Sequence, residues 1–189
     1  MKNSIKPTGK EVRFNDREMI ISKSDLSGRV TYANRCFMRI ANYSETQVLG
    51  QQHSLIRHPD MPRGVFRLLW DTLQQNREFF GLVKNMNSDG DFYWVFANIT
   101  PDRDLKGNIT GYYSVRRPAP ASAVRAIEPV YRRMLEIERS APKNEAPVAS
   151  LAYLMELPAQ EGLSYDQFVL NLYPVSYTHL RAHETRGNL

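Results

Sequence analysis

The segment 50–62 limits the possible folds of this chain most strongly. It contains two histidines, an arginine and an aspartate beside Pro59 and Pro62. Proline fixes φ, removes a backbone donor and pushes the residue before it out of the α region, so the segment can be neither a regular helix nor a central strand. A polar loop held in one shape is typical of a ligand site.

A hairpin and two short helices are predicted before this loop. The apolar run 19–24, a turn at 25–28 and the alternating run 29–33 indicate two paired strands. Asn34 can cap a helix whose apolar residues recur at helical spacing over 36–41. A capping box at 44–47 indicates a second short helix.

After the loop, the pattern predicts one longer helix and then three strands. Apolar residues form one stripe over 64–74, which is typical of an amphipathic helix. Strands 79–86 and 91–100 are joined by Asn-Ser-Asp-Gly at 87–90, a hairpin turn, and a further strand follows at 109–116. This order predicts an α+β fold with a five-stranded antiparallel sheet and short helices on one face.

The two ends of the chain have a different character. Residues 1–18 are polar and predict an N-terminal cap or arm. Residues 119–174 predict a helical C-terminal extension, in which Pro129 kinks or restarts the first helix and 141–147 is a linker. Residues 175–189 have no matching periodicity and resemble a translated cloning or sequencing adaptor, so we expect this tail to be non-native and give it no function.

Composition excludes several classes of function. Among 189 residues the formal charge is +5, but the basic residues form no long run, so we expect no nucleic-acid partner. No apolar run approaches the roughly 20 residues of a membrane span, and residues 1–7 lack the apolar core of a signal peptide, which favours the cytoplasm. The single cysteine, Cys36, is read as a buried small hydrophobe. No catalytic or metal-binding spacing is present, so we expect no enzyme.

Six groups of residues between about 20 and 118 form a recognisable set of motifs. They are Tyr32-Ala33-Asn34, Gly50-Gln51 with His53, Arg57-His58-Pro59-Asp60-Met61-Pro62, Gly81-Leu82-Val83-Lys84-Asn85, Gly90-Asp91-Phe92-Tyr93-Trp94-Val95 and Gly111-Tyr112. With these motifs, residues from about 20 to 118 resemble the PAS domain of the bacterial aerotaxis receptors, which bind FAD. The resemblance therefore identifies 19–118 as a PAS sensor domain.

The resemblance also implies site residues. In that family the counterparts of Arg57, His58, Asp60 and Asn85 are tied to flavin binding. Phe79 stands where the family commonly has a tryptophan beside the flavin, and this replacement keeps an aromatic surface but loses the indole N–H.

The residues themselves allow a similar hypothesis. An isoalloxazine ring needs apolar walls and, at one edge, a side chain that donates and accepts, and Asn85 suits that edge. Strand alternation places 95, 97 and 99 on the inward face and Trp94 with Phe96 on the other. An uncovered aromatic sheet face usually marks an interface, so we expect cover from residues 1–18, the tail helices or a second subunit, and a homodimer.

For several side chains the sequence allows either a role in ligand binding or a purely structural role. Arg57 pairs with the cofactor diphosphate or a reduced flavin, or bridges to Asp60 to fix the loop. His58 hydrogen-bonds the cofactor or senses protonation, or only orders the turn. Asn34 caps its helix or reaches the ligand. Arg116 lies at the far edge of the cofactor or at a solvent-exposed strand end.

His53 stands where light-sensing flavin PAS domains carry their adduct-forming cysteine, so a thiol adduct cannot form here. The leading hypothesis is an FAD-binding redox or oxygen sensor for aerotaxis or chemotaxis, with FMN as another possible flavin. It would act in trans on a chemoreceptor or histidine kinase. The alternatives are a haem gas sensor with His53 or His58 as axial ligand, and a cofactor-free protein-interaction module.

Overall fold

The structure, a computed structural model, describes residues 5–173 and contains one five-stranded antiparallel sheet. The strand order across the sheet is β2-β1-β5-β4-β3, so the first hairpin and the last two strands are joined through β1 and β5. This confirms the fold predicted from the sequence. The strands are β1 (Ile20–Asp25), β2 (Val30–Ala33), β3 (Phe79–Met86), β4 (Phe92–Arg103) and β5 (Ile109–Pro118).

Three helices and one 3₁₀ turn lie between β2 and β3 and pack on one face of the sheet, called here the inner face. They are α1 (Arg35–Ala41), α2 (Glu45–Val48), the 3₁₀ turn His53–Ile56 and α3 (Arg63–Gln74). Asn42 ends α1 in the left-handed region, where asparagine is tolerated. In α3, Val65, Leu69 and Leu73 form the buried stripe that the sequence predicts.

The β3–β4 hairpin fixes which side chains face inward. Asn87 Oδ1 accepts hydrogen bonds from the backbone N–H groups of Asp89 and Asp91, and Gly90 has φ 90°, a conformation that favours glycine. Asn85 pairs with Tyr93 and Val83 with Val95 across the two strands. Because side chains alternate along a strand, these four residues point to the inner face and their neighbours to the outer face.

The C-terminal extension consists of α4 (Ala121–Ser140), α5 (Ala146–Gln160) and α6 (Tyr165–Leu172). The first of these helices continues through Pro129 without a break, and the second begins at Ala146, so the linker is shorter than predicted. Glu138 of α4 accepts hydrogen bonds from Gly64 N–H (3.0 Å) and Ser150 Oγ (2.7 Å). One carboxylate thus joins the start of α3 to α4 and α5.

The extension covers the aromatic outer face of β4. Trp94 stacks against Tyr131 of α4, with ring centroids 6.2 Å apart, and Phe96 stacks against Tyr173 at 4.3 Å. Trp94 is therefore only 7% exposed and Phe96 only 8%. The homodimer was predicted because this face needed cover, and the chain's own tail provides that cover. The homodimer therefore stays a prediction, but the aromatic face of β4 no longer supports it.

The described part of the N-terminal arm lies along the β3–β4 hairpin. Thr8 N–H donates to Gly90 O at 2.9 Å, and Val12 N–H donates to Phe92 O at 2.8 Å. The adaptor-like tail at 175–189 lies outside the described residues. Within residues 5–173, no helix has both the length and the apolar character needed to span a membrane.

Candidate functional site

A cavity of about 200 Å³ lies between the inner face of the sheet and α3. Native interiors contain few voids larger than a water molecule, so a cavity of this size is a candidate binding site. Its walls are mostly apolar and come from α3, β3 and β4: Phe66, Leu69, Leu73, Val83, Ala97 and Ile99. The polar side chains at its surface include His53, Arg57, Asn85, Ser114 and Arg116.

Asn85 lies at the inner face of β3 and is 4% exposed. Within residues 5–173 its Nδ2 has no hydrogen-bond partner, although the atom is buried. Leaving a buried donor unpaired costs about 1–3 kcal/mol. The Asn85 amide is therefore free to donate to a polar atom in the cavity, from a ligand or from water.

Arg57 lines the same cavity because its backbone forms an antiparallel bridge with Asn85. Its Nη2 donates to the carbonyl of Met61 at 2.9 Å, and its Cζ lies 4.0 Å from the centroid of the Phe66 ring. Burial lowers the pKa of this guanidinium. The interpretation in which Arg57 bridges to Asp60 is wrong, since Asp60 pairs with Lys84 instead.

His58 and Asp60 lie outside the cavity, on the outer side of the sheet. His58 N–H donates to Lys84 O at 3.4 Å, its Nδ1 accepts from Asp60 N–H at 3.1 Å, and its ring meets the edge of Phe92. Asp60 Oδ2 forms an ion pair with Lys84 Nζ at 2.9 Å. Burial, and then the charge of Lys84, lower the pKa of His58 to about 4.

Strand alternation explains this correction to the predicted site. Arg57 pairs with Asn85 and faces inward, so the next residue, His58, must face outward beside Lys84. His58 and Asp60 thus hold the shape of the loop that carries Arg57, and they do not line the cavity.

Phe79 and Asn34 also lie away from the cavity surface. The Phe79 ring stacks on Tyr165 of α6 with centroids 6.1 Å apart. Asn34 Oδ1 accepts from the backbone N–H groups of Phe37 (2.9 Å) and Ile21 (3.1 Å), and its Nδ2 donates to a backbone carbonyl at 2.8 Å. The amide of Asn34 is fully used in capping α1 and joining it to β1, as the capping interpretation predicts.

His53, Ser22 and Arg116 form a hydrogen-bonded cluster at the cavity. Arg116 Nη2 lies 2.6 Å from His53 Nε2 and donates to Ser22 Oγ at 3.1 Å. Because a guanidinium can only donate, His53 Nε2 accepts and the ring is neutral, with its proton on Nδ1. Burial and the charge of Arg116 lower the pKa of His53 to about 3.

Arg116 corrects the expectation of a solvent-exposed strand end. It is 4% exposed, and within the described residues its Nη1 has no hydrogen-bond partner. Ser114, two residues earlier on β5, is likewise buried with an unpaired Oγ. Sequence reasoning missed Ser114 and Ser22 as site residues. The strand parity that Ser114 shares with positions 112 and 116 was a signal that could have found Ser114.

The PAS family accounts for this fold. A family model described as PAS fold matches residues 30–116, which contain β2, the inner-face helices, β3, β4 and most of β5, while β1 precedes them. Residues 30–116 therefore form a PAS domain, as the resemblance predicts.

Within that family the chain is similar to two signalling proteins. It is 35% identical to the aerotaxis receptor of Escherichia coli over 144 residues, which are 76% of this chain and 28% of the receptor. It is 33% identical to the nitrogen fixation regulatory protein of Klebsiella pneumoniae over 102 residues, 54% of this chain and 21% of that protein. The chain thus spans under a third of the length of these relatives.

Solved structures agree with the fold. A light-oxygen-voltage domain studied with a flavin analogue superposes with a TM-score of 0.52 at 21% identity, covering 61% of this chain and 86% of that one. The dark structure of the Aureochrome1 light-oxygen-voltage domain gives 0.51 at 24% identity, covering 64% and 86%. At these identities the likeness concerns the fold alone.

Proposed function

We propose that this PAS domain binds a flavin, FAD in the first instance, and reports redox state or oxygen to a signalling protein. One observation carries the proposal. Three buried polar atoms without partners in the described chain, Asn85 Nδ2, Ser114 Oγ and Arg116 Nη1, belong to residues that line one apolar-walled cavity. Buried polar groups are normally satisfied, so a ligand with several acceptors fits this set.

The residues fit an isoalloxazine ring. Its flat, largely apolar body suits the walls formed by Leu69, Val83 and Ile99. The Asn85 amide can both donate and accept, as the ring edge with an N–H between two carbonyls requires. A bound flavin supplies reversible uptake of electrons and protons. The name of one relative, an aerotaxis receptor, supports a sensor that responds to oxygen or redox state.

Haem fits the site less well than flavin. His58 points to the outer side of the sheet, so it cannot ligate a metal in the cavity. His53 Nε2 lies 2.6 Å from the Arg116 guanidinium, and a cation at that atom opposes iron ligation. FMN remains the alternative flavin, because Arg57 at the cavity wall could meet either one phosphate or two.

The edge strand β3 offers a route for the signal. Asn85 contacts the cavity from β3, and the carbonyl of Leu82 on the same strand accepts a hydrogen bond from Tyr131 Oη of α4 at 2.7 Å. A changed hydrogen bond at Asn85 would move β3 and bias the position of α4. The output would then reach a chemoreceptor or a histidine kinase in the cytoplasm, without catalysis by this chain.

The absorption spectrum of the protein tests the proposal. The purified protein is unfolded, refolded with excess FAD, FMN or haem in parallel, and freed of unbound cofactor by gel filtration. We expect about one flavin per chain, with absorption bands that bleach on reduction by dithionite and return in air. Protein that stays colourless in all arms would leave a cofactor-free interaction module, and a haem spectrum would replace the flavin proposal.

A further inference from the structure

Arg116 is a buried cation without an anionic partner in the described part of the chain. None of the ion pairs within residues 5–173 includes it, and its hydrogen bonds go to two neutral groups, Ser22 Oγ and His53 Nε2. Its guanidinium lies 5.9 Å from the centroid of the Phe37 ring, and its Nη1 is unpaired. This arrangement leaves both the charge and one donor of Arg116 uncompensated.

Such an arrangement is costly in a folded protein. Removing a charge from water costs several kcal/mol unless an opposite charge or enough hydrogen bonds replace the water. Burial lowers the pKa of Arg116 to about 10, so the group stays charged near pH 7. Arg116 lines the cavity, so an acceptor with negative charge inside the cavity would compensate both the charge and the unpaired Nη1.

We propose that Arg116 faces the bound flavin and stabilises its reduced, anionic form over the oxidised form. This inference rests on the proposed flavin site. Taking up two electrons from an external reductant and one proton from solvent adds one net negative charge to the ring. A cation in a dry site binds that charge more tightly than the neutral ring, and differential binding of the two forms raises the reduction potential of the flavin.

The reduction potential of the bound flavin is the direct test. The flavin-loaded protein is titrated with dithionite against a reference dye, next to free flavin in the same buffer. We expect the wild type to bind the reduced form at least tenfold more tightly than the oxidised form, which is about 30 mV above free flavin for a two-electron couple. A bound potential at or below that of free flavin would overturn the inference without any variant.

Two variants assign the effect to this side chain. Arg116→Gln keeps donors but removes the charge, so we expect it to lose the preference for the reduced form by about tenfold. Arg116→Lys keeps the charge and should retain most of the preference. Arg117→Gln is the matched control, because it makes the same charge change on the next residue of β5, which is exposed and points away from the cavity.

A structural role for Arg116 predicts different results. If it only held Ser22 and His53 in place, Arg116→Gln would lower the unfolding free energy of the flavin-free protein and leave the potential unchanged. Our inference predicts that Arg116→Gln lowers the reduction potential of the bound flavin and does not lower the unfolding free energy of the flavin-free protein. The second result is expected because the substitution removes an uncompensated buried charge. A wild type that binds no flavin defeats the proposed function and this inference together. A wild type that binds flavin, with equal potentials in wild type and Arg116→Gln, defeats the inference alone.

Discussion

Arg57 and His58 are consecutive residues whose side chains lie on opposite sides of the sheet. The backbone of Arg57 bridges to Asn85 and its side chain lines the cavity, whereas His58 packs against Phe92 beside Lys84. A single backbone bridge thus joins the loop to the edge strand β3, and the two consecutive side chains point to opposite sides as they do along a strand. Arg57 thus lines the cavity, whereas Pro59 and Asp60 line a surface pocket together with Glu128 and Tyr131 of α4.

His58 is therefore expected to act on the loop and not on the cofactor directly. In His58→Leu the backbone N–H of Asp60 loses its acceptor, so we expect the unfolding free energy to fall by about 1–2 kcal/mol in urea titrations. His58→Asn can present an oxygen near the position of Nδ1 and should recover part of this loss. The flavin spectrum should keep its band positions in both variants. A shift of the bands in His58→Asn would place the ring against the cofactor and contradict the structure.

Asn85 should contribute to flavin affinity with little effect on folding. Its Nδ2 has no partner within the described chain, so Asn85→Ala removes no hydrogen bond of that amine to protein. Loss of one hydrogen bond to the ligand should weaken flavin binding about tenfold, measured by fluorescence titration. Asn98→Ala is the control, since Asn98 lies on the outer face of β4 and donates to Glu78 at 3.1 Å. Equal losses in both variants would argue against a ligand contact by Asn85.

The sequence predicts most of this fold because its signals are local. The alternation of apolar residues and the hairpin turn predict β3 with its observed bounds, Phe79–Met86. The apolar stripe over 64–74 predicts α3, which begins one residue earlier in the structure. The inward set on β4 follows from the same alternation. Such features need only the neighbours of each residue along the chain.

The parts of the site that sequence reasoning missed depend on distant contacts. Phe79 shares the strand parity of Val83 and Asn85 but does not line the cavity, and its ring stacks on Tyr165 of α6, more than eighty residues later. Arg116 is buried because β5 pairs with β1, which places Ser22 within hydrogen-bond distance. The side on which His58 lies follows from one backbone bridge between a loop and an edge strand. No periodicity in the chain encodes these pairings.

Acid should destabilise the flavin-free protein partly through His53. Its pKa is about 3 in the folded state and about 6.5 when unfolded, so between these values the unfolded chain binds more protons. The stability contributed by neutral His53 is therefore fully present above pH 6.5 and is lost as the pH falls toward 3. His53→Gln keeps an acceptor for Arg116 but cannot titrate. Urea unfolding at pH 7, 5.5 and 4.5 should show a shallower loss in His53→Gln; parallel pH profiles would contradict this assignment.

The hydrogen bond between Tyr131 and the edge strand should couple the cavity to α4. In Tyr131→Phe the carbonyl of Leu82 loses a partner at 2.7 Å, so the unfolding free energy should fall by about 1 kcal/mol. The amides of α4 should then exchange hydrogen faster in the flavin-loaded protein. In the wild type, reduction of the flavin should change exchange in α4, and in Tyr131→Phe this response should shrink while the flavin affinity stays the same.

Tyr153→Phe is the matched control for this coupling, because Tyr153 lies on α5 and its hydroxyl forms no hydrogen bond with the residues that the structure describes. It should leave both the stability and the redox response of α4 unchanged. The stacking of Trp94 on Tyr131 survives in Tyr131→Phe, so any lost response belongs to the hydroxyl and not to the ring. If α4 responds to reduction equally in the wild type and in Tyr131→Phe, the signal does not pass through the Leu82 carbonyl. The loop that carries Arg57, and β5, which runs from Arg116 at the cavity to the start of α4, are then the routes to test.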